Sequence, residues 1–270
     1  MKQTRDEKEQ ALIQYLKTLQ GGILAFSGGV DSTYLLYAAH KVMEDRLLAV
    51  TMRLTSVPEA EIEDAKKLAA GIGARHTVIA MNQFDIDGFA DNPENRCYLC
   101  KHFLFSRLKR KAAAEGYSCV MDGTNLDDTA VFRPGRKALS EMDIKSPLRE
   151  SGLTKEDIRA LSKRAGLPTW SKPSLPCMVT RFPYHEQITR DKLARVETAE
   201  NVLRQEGFTR FRVRSHGDLA RIEVPPEDMQ ALLDKKERLS RALTALGFLY
   251  VTMDLSGFAS GSMDKLIGRE

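Results

Sequence analysis

Residues 26–39 read "FSGGVDSTYLLYAA", and this stretch decides the fold. The run before it, "GGILAF" (21–26), is strand-like. The run after it, "TYLLYAAHKVM" (33–43), has the apolar spacing of a helix. Two adjacent glycines stand between them. Paired glycines weaken any regular element, so they point to a use for bare backbone. A strand that stops at Ser-Gly-Gly and restarts as a helix through Asp31 and Ser32 exposes consecutive N–H groups at a helix N-terminus. Those amides, with the positive end of the helix dipole, suit a phosphate.

Outward from this loop, strands and helices alternate. Residues 5–19 carry Ala11, Leu12, Tyr15, Leu16 and Leu19 at helical spacing. After the first helix past the loop come a strand "RLLAVTM" (46–52), a helix "EAEIEDAKKLAAGIG" (59–73) and a strand "RHTVIAM" (75–81). An Asp-, Asn- and Gly-rich connection (82–96) leads into a helix expected from Pro93 to Glu115. Asn92 is read as its cap, with Pro93 in its first turn. "YSCVMDG" (117–123) is a fourth strand. Such alternation predicts an α/β fold with a parallel sheet covered on both faces. Ligands of these sheets bind at the carboxyl ends of strands. Phe26–Ser32, Met52–Arg53 and Asp122–Asn125 all fall there, so three loops are expected to share one crevice.

Beyond about residue 180 the pattern changes. A helix near 189–206 precedes two alternating strands, "RFRVRSHG" (210–217) and "LARIEV" (219–224), with a turn at His216–Asp218. A helix near 226–246 and the strand "FLYVTMDL" (248–255) follow. Two domains are expected: residues 1–180, and a smaller α+β module at 181–270 with mixed or antiparallel pairing.

With 270 residues, 42% hydrophobic and 29% charged, the chain has the composition of a globular protein. No apolar run approaches the roughly 18–20 residues of a membrane span. The charged start, "MKQTRDEKEQALIQYLKTLQ", lacks a signal-type apolar core, so a cytoplasmic location is expected. A net charge of +4 suits small acidic ligands and speaks against a nucleic-acid partner.

No G-x-x-x-x-G-K-[ST] and no G-x-G-x-x-G after the first strand is present, so neither common nucleotide loop applies. The string resembles the PP-loop of the N-type ATP pyrophosphatase superfamily. The resemblance implies cleavage of ATP between its α- and β-phosphates and adenylation of a substrate oxygen. It implies that Ser27, Gly28, Gly29, Asp31 and Ser32 hold the β/γ-phosphates, with Asp31 placed for Mg²⁺. "DGTNLDD" (122–128) and "IKSPLRE" (144–150) are similar to two later segments of that superfamily. On that basis Met52, Gly123, Thr124, Asn125 and Asp128 join the ATP site, and Lys145 stands near the α-phosphate. Charge spreading onto departing pyrophosphate needs such amides and cations.

Four cysteines are too few for a disulfide scaffold. Cys119 lies mid-strand, as core. Cys97 and Cys100 are three apart near a helix start, which puts both sulfurs on one side; redox pair, metal half-site and coincidence all remain open. Structural zinc wants four ligands and would need Cys177 plus His102 or His185. Cys177 follows two prolines and precedes Arg181.

Taken together, the PP-loop, "RCYLCK" (96–101), "RPGRKA" (133–138), "KPSLPCMVTRFPYHEQIT" (172–189), "RFRVRSHGDLARIEV" (210–224) and "DLSGFASGSM" (254–263) are similar to the LarE family of ATP-dependent sulfur transferases, which assemble a nickel-pincer nucleotide cofactor used by lactate racemase. The likeness runs from about residue 20 to 263. It implies that a carboxylate of pyridinium-3,5-biscarboxylic acid mononucleotide is adenylated and its oxygen replaced by sulfur, twice. It implies that Cys177 is the sulfur residue. In one branch that cysteine ends as dehydroalanine. This chain departs from that branch in having Cys97 and Cys100. It resembles the three-cysteine branch, in which Cys97, Cys100 and Cys177 hold a [4Fe-4S] cluster able to relay sulfide from an outside donor. Homo-oligomers are also implied.

Arg210, Arg212 and Arg214 alternate along one predicted strand. Three like charges on one face call for an anion, for carboxylates or for solvent. The resemblance matches Arg212 and Arg214 to a pair that binds the substrate phosphate. Glu141 and Asp254 are further family-like acids. A tRNA thiolase would need a strongly basic surface, an amidating synthetase would not need the cysteines, and a non-catalytic ATP sensor would release no AMP.

Overall fold

The computed structural model describes residues 3–129, 134–173, 177–259 and 262–264. The chain divides into two units, Met1–Ile86 with Asn95–Leu175, and Asp87–Glu94 with Pro176–Glu270. Parts of the motifs quoted above, at 130–133, 174–176 and 260–261, lie outside the described residues.

The first unit runs α1 (Arg5–Thr18), β1 (Gly22–Ala25), α2 (Val30–Met43), β2 (Leu47–Leu54), α3 (Glu59–Ile72), β3 (His76–Met81), α4 (Arg96–Ala114), β4 (Cys119–Met121), α5 (Gly135–Glu141), α6 (Pro147–Glu150) and α7 (Lys155–Arg164). Its four strands form one parallel sheet in the order β3-β2-β1-β4, with Ile23 opposite both Leu48 and Val120. Alternate side chains then leave opposite faces. Ile23, Leu48, Val50 and Val120 pack with Phe105 and Leu108 of α4 and Leu139 of α5. Leu24, Ala49 and Met121 pack with Leu35 and Leu36 of α2, Leu16 of α1 and Leu161 of α7. Burial on both faces is why these strands read as unbroken apolar runs.

The strand order also locates the crevice. The chain moves outward from β1 to β2 and β3, then returns to place β4 on the other side of β1. The direction reverses between β1 and β4, and the loops after those two strands open at that switch point. An isolated parallel bridge, Met121 to Lys145, continues the β4 edge.

Two capping boxes start α1 (Thr4 with Glu7) and α7 (Thr154 with Asp157). Asp157 also takes Lys8 Nζ at 2.6 Å and Arg5 Nε at 3.3 Å, clamping α1 to α7. The helix expected from Pro93 begins later. Its N-cap is Asn95, and Asn92 does not cap it. Asn92 is buried in the left-handed region (φ 53°) and donates Nδ2–H to the Pro183 carbonyl at 2.6 Å. That bond, with Ile188 N–H to Ala90 O (2.7 Å) and His185 N–H to Asn92 O (3.0 Å), knits 87–94 into the second unit.

The second unit contains α8 (Arg190–Gln205), β5 (Arg212–His216), β6 (Leu219–Glu223), α9 (Met229–Asp234), α10 (Lys236–Ala245) and β7 (Tyr250–Met253). The sheet order is β5-β6-β7, antiparallel between β5 and β6 and parallel between β6 and β7. The single helix expected over 226–246 is broken at Lys235, which caps α10. Arg210 lies outside β5, so the predicted row of three arginines is a strand pair, Arg212 and Arg214.

Candidate active site

The chain between β1 and α2 turns through Gly28, whose φ of +70° is left-handed and favours glycine. Gly29 is the N-cap of α2 and brings no side chain to its amides. Ser27 N–H reaches Ser32 Oγ at 3.3 Å and Gly29 N–H reaches Ser27 Oγ at 3.3 Å, both long bonds to rotatable hydroxyls. The amides of Gly28, Val30, Asp31 and Ser32 donate to no group among the described residues. A half-open ring of donors therefore faces the crevice, as an anion site requires.

Behind the loop, Thr51 Oγ1 donates to the Phe26 carbonyl at 2.8 Å. Its one proton is thereby used, so His76 Nε2, 2.8 Å away, carries the hydrogen that Thr51 accepts. Burial lowers the pKa of His76.

The loop after β4 presses against α2. A Cβ on Gly123 would sit 3.1 Å from the Ser32 amide nitrogen, a tight contact that a larger residue could make only if the loop or α2 gave by a few tenths of an ångström. Asp122, buried at the strand end, accepts the Thr124 hydroxyl and, at 2.7 Å, the Ser146 hydroxyl. Asn125 and Asp128 exchange backbone-to-side-chain bonds of 3.1 and 3.2 Å. These bonds fix the Asn125 amide, whose Nδ2 donates to Asp31 Oδ1 at 3.3 Å.

Asp31 Oδ2 pairs with Lys155 Nζ, at the first residue of α7. A lysine there opposes the positive end of its own helix dipole. The Lys155 amide is tied to Asp127 Oδ2 at 2.7 Å, so the residue is anchored to the same loop. Sequence reasoning missed Lys155, because no motif spacing connects it to Asp31.

Lys145 is not brought to this cluster. Its ammonium lies on Asp143, at 2.8 and 3.0 Å from the two carboxylate oxygens, and the hydrogen bond raises its pKa. Its charge is also felt by Tyr15 and Cys119, while its backbone is bridged to Met121, the last residue of β4. Met52 is half-buried near the end of β2, among Ala25 and Ile79. Glu141 accepts the Tyr98 hydroxyl at 2.8 Å, an α4–α5 contact. Cys97, exposed, and Cys100, half-buried, are the second and fifth residues of α4.

In the second unit Cys177 is exposed, and its carbonyl accepts the Thr180 amide (3.0 Å) and hydroxyl (2.8 Å). Arg214 Nη1 donates to the Thr180 carbonyl at 2.9 Å. The arginine strand therefore braces the turn that carries Cys177. Arg181, 1% exposed, makes a two-point pair with Glu200 at 2.7 and 3.1 Å. Glu200, on α8, also accepts the Val213 amide at 3.2 Å. Three guanidiniums (Arg181, Arg212, Arg214) thus share buried space with two carboxylates (Glu200, Glu223). Burial, helped by the charge of Arg181 and opposed by Glu200, lowers the Arg212 pKa to about 10. Among the described residues the buried guanidiniums here outnumber the buried carboxylates. Arg181, Glu200 and Glu223 were not legible as site residues in sequence. Asp254 holds Arg221 (3.5 Å) and caps a turn at Ser256 (2.9 Å).

No group of three or more His, Cys, Asp or Glu that could hold a metal ion occurs among the described residues. The Cys97–Cys100 pair offers two soft sulfur donors, of the type that thiophilic metals take, and Asp31 a hard oxygen donor, of the type that a phosphate-bound hard cation takes. No helix among the described residues is long and apolar enough to cross a membrane.

A family model described as NAD synthase matches residues 6–111. An uncharacterized protein of Synechocystis is 41% identical over 97% of this chain and 98% of its own length. The pyridinium-3,5-bisthiocarboxylic acid mononucleotide synthase of Lactiplantibacillus plantarum is 39% identical over 96% of this chain and 95% of its own. A glutamine-hydrolyzing GMP synthase of Aeropyrum pernix is 28% identical over 68% of this chain and 39% of its own. Near-full-length identity at this level, on a parallel sheet with a PP-loop at its switch point, makes the chain a member of the LarE family of pyridinium-3,5-bisthiocarboxylic acid mononucleotide synthases.

Proposed function

We propose that the protein is an ATP-dependent sulfur transferase acting on pyridinium-3,5-biscarboxylic acid mononucleotide in the cytoplasm. The open amides of the α2 N-terminus beside Asp31 and Lys155 carry this reading. A substrate carboxylate oxygen attacks the α-phosphorus of ATP, and the bond to pyrophosphate breaks. The leaving pyrophosphate gathers charge that the amides of Gly28 to Ser32 receive, with Ser27 and Ser32 hydroxyls rotating to help. Asp31 would hold Mg²⁺, which neutralises phosphate charge when bound. Asn125 and Asp128 keep Asp31 in place, Gly123 and Thr124 shape the wall, and Met52 lines the nucleotide crevice. Lys155, rather than Lys145, supplies the protein cation.

A sulfur nucleophile then attacks the activated carbonyl and AMP departs. Cys177 is the residue assigned to that sulfur, with Arg212 and Arg214 binding the substrate phosphate from the same unit. Cys97, Cys100 and Cys177 would hold a [4Fe-4S] cluster, which supplies a site for exchangeable sulfide when bound. The protein is proposed to work as a homo-oligomer with an external sulfide donor. Incubation with ATP, Mg²⁺ and the pyridinium nucleotide should yield AMP, pyrophosphate and a thiocarboxylated product. No substrate-dependent AMP would overturn the reading. The polypeptide mass after turnover separates the two sulfur sources: loss of hydrogen sulfide from Cys177 means the protein itself was the donor, and an unchanged mass means relay.

A further inference from the structure

The turn after β3 is built to aim one side chain inward. Asn82 Oδ1 accepts the Phe84 amide at 3.3 Å, Asn82 Nδ2 donates to Asp85 Oδ1 at 2.6 Å, and the Ile86 amide closes onto the Gln83 carbonyl at 3.2 Å. Gln83, at the head of this single 3-10 turn, is 1% exposed. Burying a carboxamide is costly unless both ends are paired. Its Oε1 accepts the amide of Ser56, itself buried in the turn after β2, at 3.0 Å. A backbone N–H can only face the oxygen, which settles the amide's orientation. The nitrogen end therefore points at Cys100 Sγ, 3.4 Å away. One side chain ties the turns after β2 and β3 to the second cysteine of the C-x-x-C pair.

We propose that Gln83 is a positioning residue for the Cys100 sulfur, holding it in one orientation and donating an N–H···S hydrogen bond that tunes whatever the sulfur ligates. Pairing the Ser56 amide needs only the carboxamide oxygen; the N–H turned to sulfur is what that structural role leaves over. Hydrogen bonds to a ligating sulfur raise a cluster's reduction potential, because they favour the more negative reduced state. That electronic consequence rests on the proposed cluster, whereas the contact itself does not.

The test uses full-length protein, wild type beside Gln83→Glu and Gln83→Met, reconstituted anaerobically with iron and sulfide. Gln83→Glu keeps the acceptor that Ser56 needs, so it remains informative if Gln83→Met fails to fold. Both variants are expected to take up iron yet show a midpoint potential shifted to lower values. An unshifted potential in the folded variants overturns the proposal. Should wild type bind no iron, the cluster reading falls and Gln83 is judged on the ligand-free protein. There the Gln83 side-chain NH₂ signals, identified by their loss in Gln83→Glu, are expected to move in Cys100→Ala. Signals that stay in place overturn the proposal.

Discussion

Arg214 and Glu223 meet diagonally across β5 and β6 in a two-point salt bridge, Nε to Oε1 at 3.0 Å and Nη2 to Oε2 at 2.9 Å, with Glu223 wholly buried. Arg221 Nη2 (3.2 Å) and Ser262 Oγ (2.6 Å) fill out the Glu223 acceptor positions. Removing one partner leaves a buried charge uncompensated, a loss of about 3–5 kcal/mol. Glu223→Ala is expected to destabilise by that order in denaturant unfolding, and to disturb the Cys177 turn through Arg214 and Thr180. A variant as stable as wild type would show that the pair is dispensable.

Arg212→Ala should raise KM for the pyridinium nucleotide and leave ATP binding unchanged, since the arginine belongs to the second unit and the PP-loop to the first. Isothermal titration with ATP, beside substrate-dependent AMP release, makes the comparison. Equal losses for both ligands would contradict this division of labour.

Lys155→Gln is expected to lower AMP release by about 10²-fold, the order seen when one preorganised charge-stabilising group is lost. Lys145→Gln should cost far less, because its ammonium is held by Asp143. The reverse ranking would return the cationic role to Lys145.

Gly123→Ala places a methyl 3.1 Å from the Ser32 nitrogen, so the loop or the α2 N-terminus must give by a few tenths of an ångström. Weaker ATP binding with an unchanged fold, read by titration and circular dichroism, is the expected outcome.

Acid should release the clamp between α1 and α7. Burial alone would raise the Asp157 pKa, but the bonds from Lys8 and from the Thr154 amide and hydroxyl together outweigh it and bring the value from 3.8 to about 2. Because the folded value is the lower one, the stabilisation is present above about pH 4 and is lost as pH falls toward 2. It amounts to about 2 kcal/mol. Asp157→Asn should lose that stability at neutral pH and flatten this part of the acid-unfolding profile.

Local chemistry made much of the fold readable. The Gly28–Gly29 pair between an apolar run and a helical period announced an anion loop, and unbroken strand hydrophobicity announced a sheet buried on both faces. Asn92 misled as a cap because Asn-Pro suits a helix start, while its amide instead satisfies the Pro183 carbonyl, 91 residues away. Along the chain the resemblance pointed to Lys145 and nothing marked Lys155; the ion pairs that set Lys145 on Asp143 and Lys155 on Asp31 appear only in the folded chain.

Sequence alone determined the parallel α/β layer, the phosphate-type loop and the family, because each depends on neighbours a few residues apart or on strings of specific motifs. Tertiary structure decided which polar groups meet: Lys155 with Asp31, Glu223 with Arg214, Gln83 with Cys100. Such pairings are set by strand order and helix placement, through contacts between residues far apart in the chain, and no local periodicity records them.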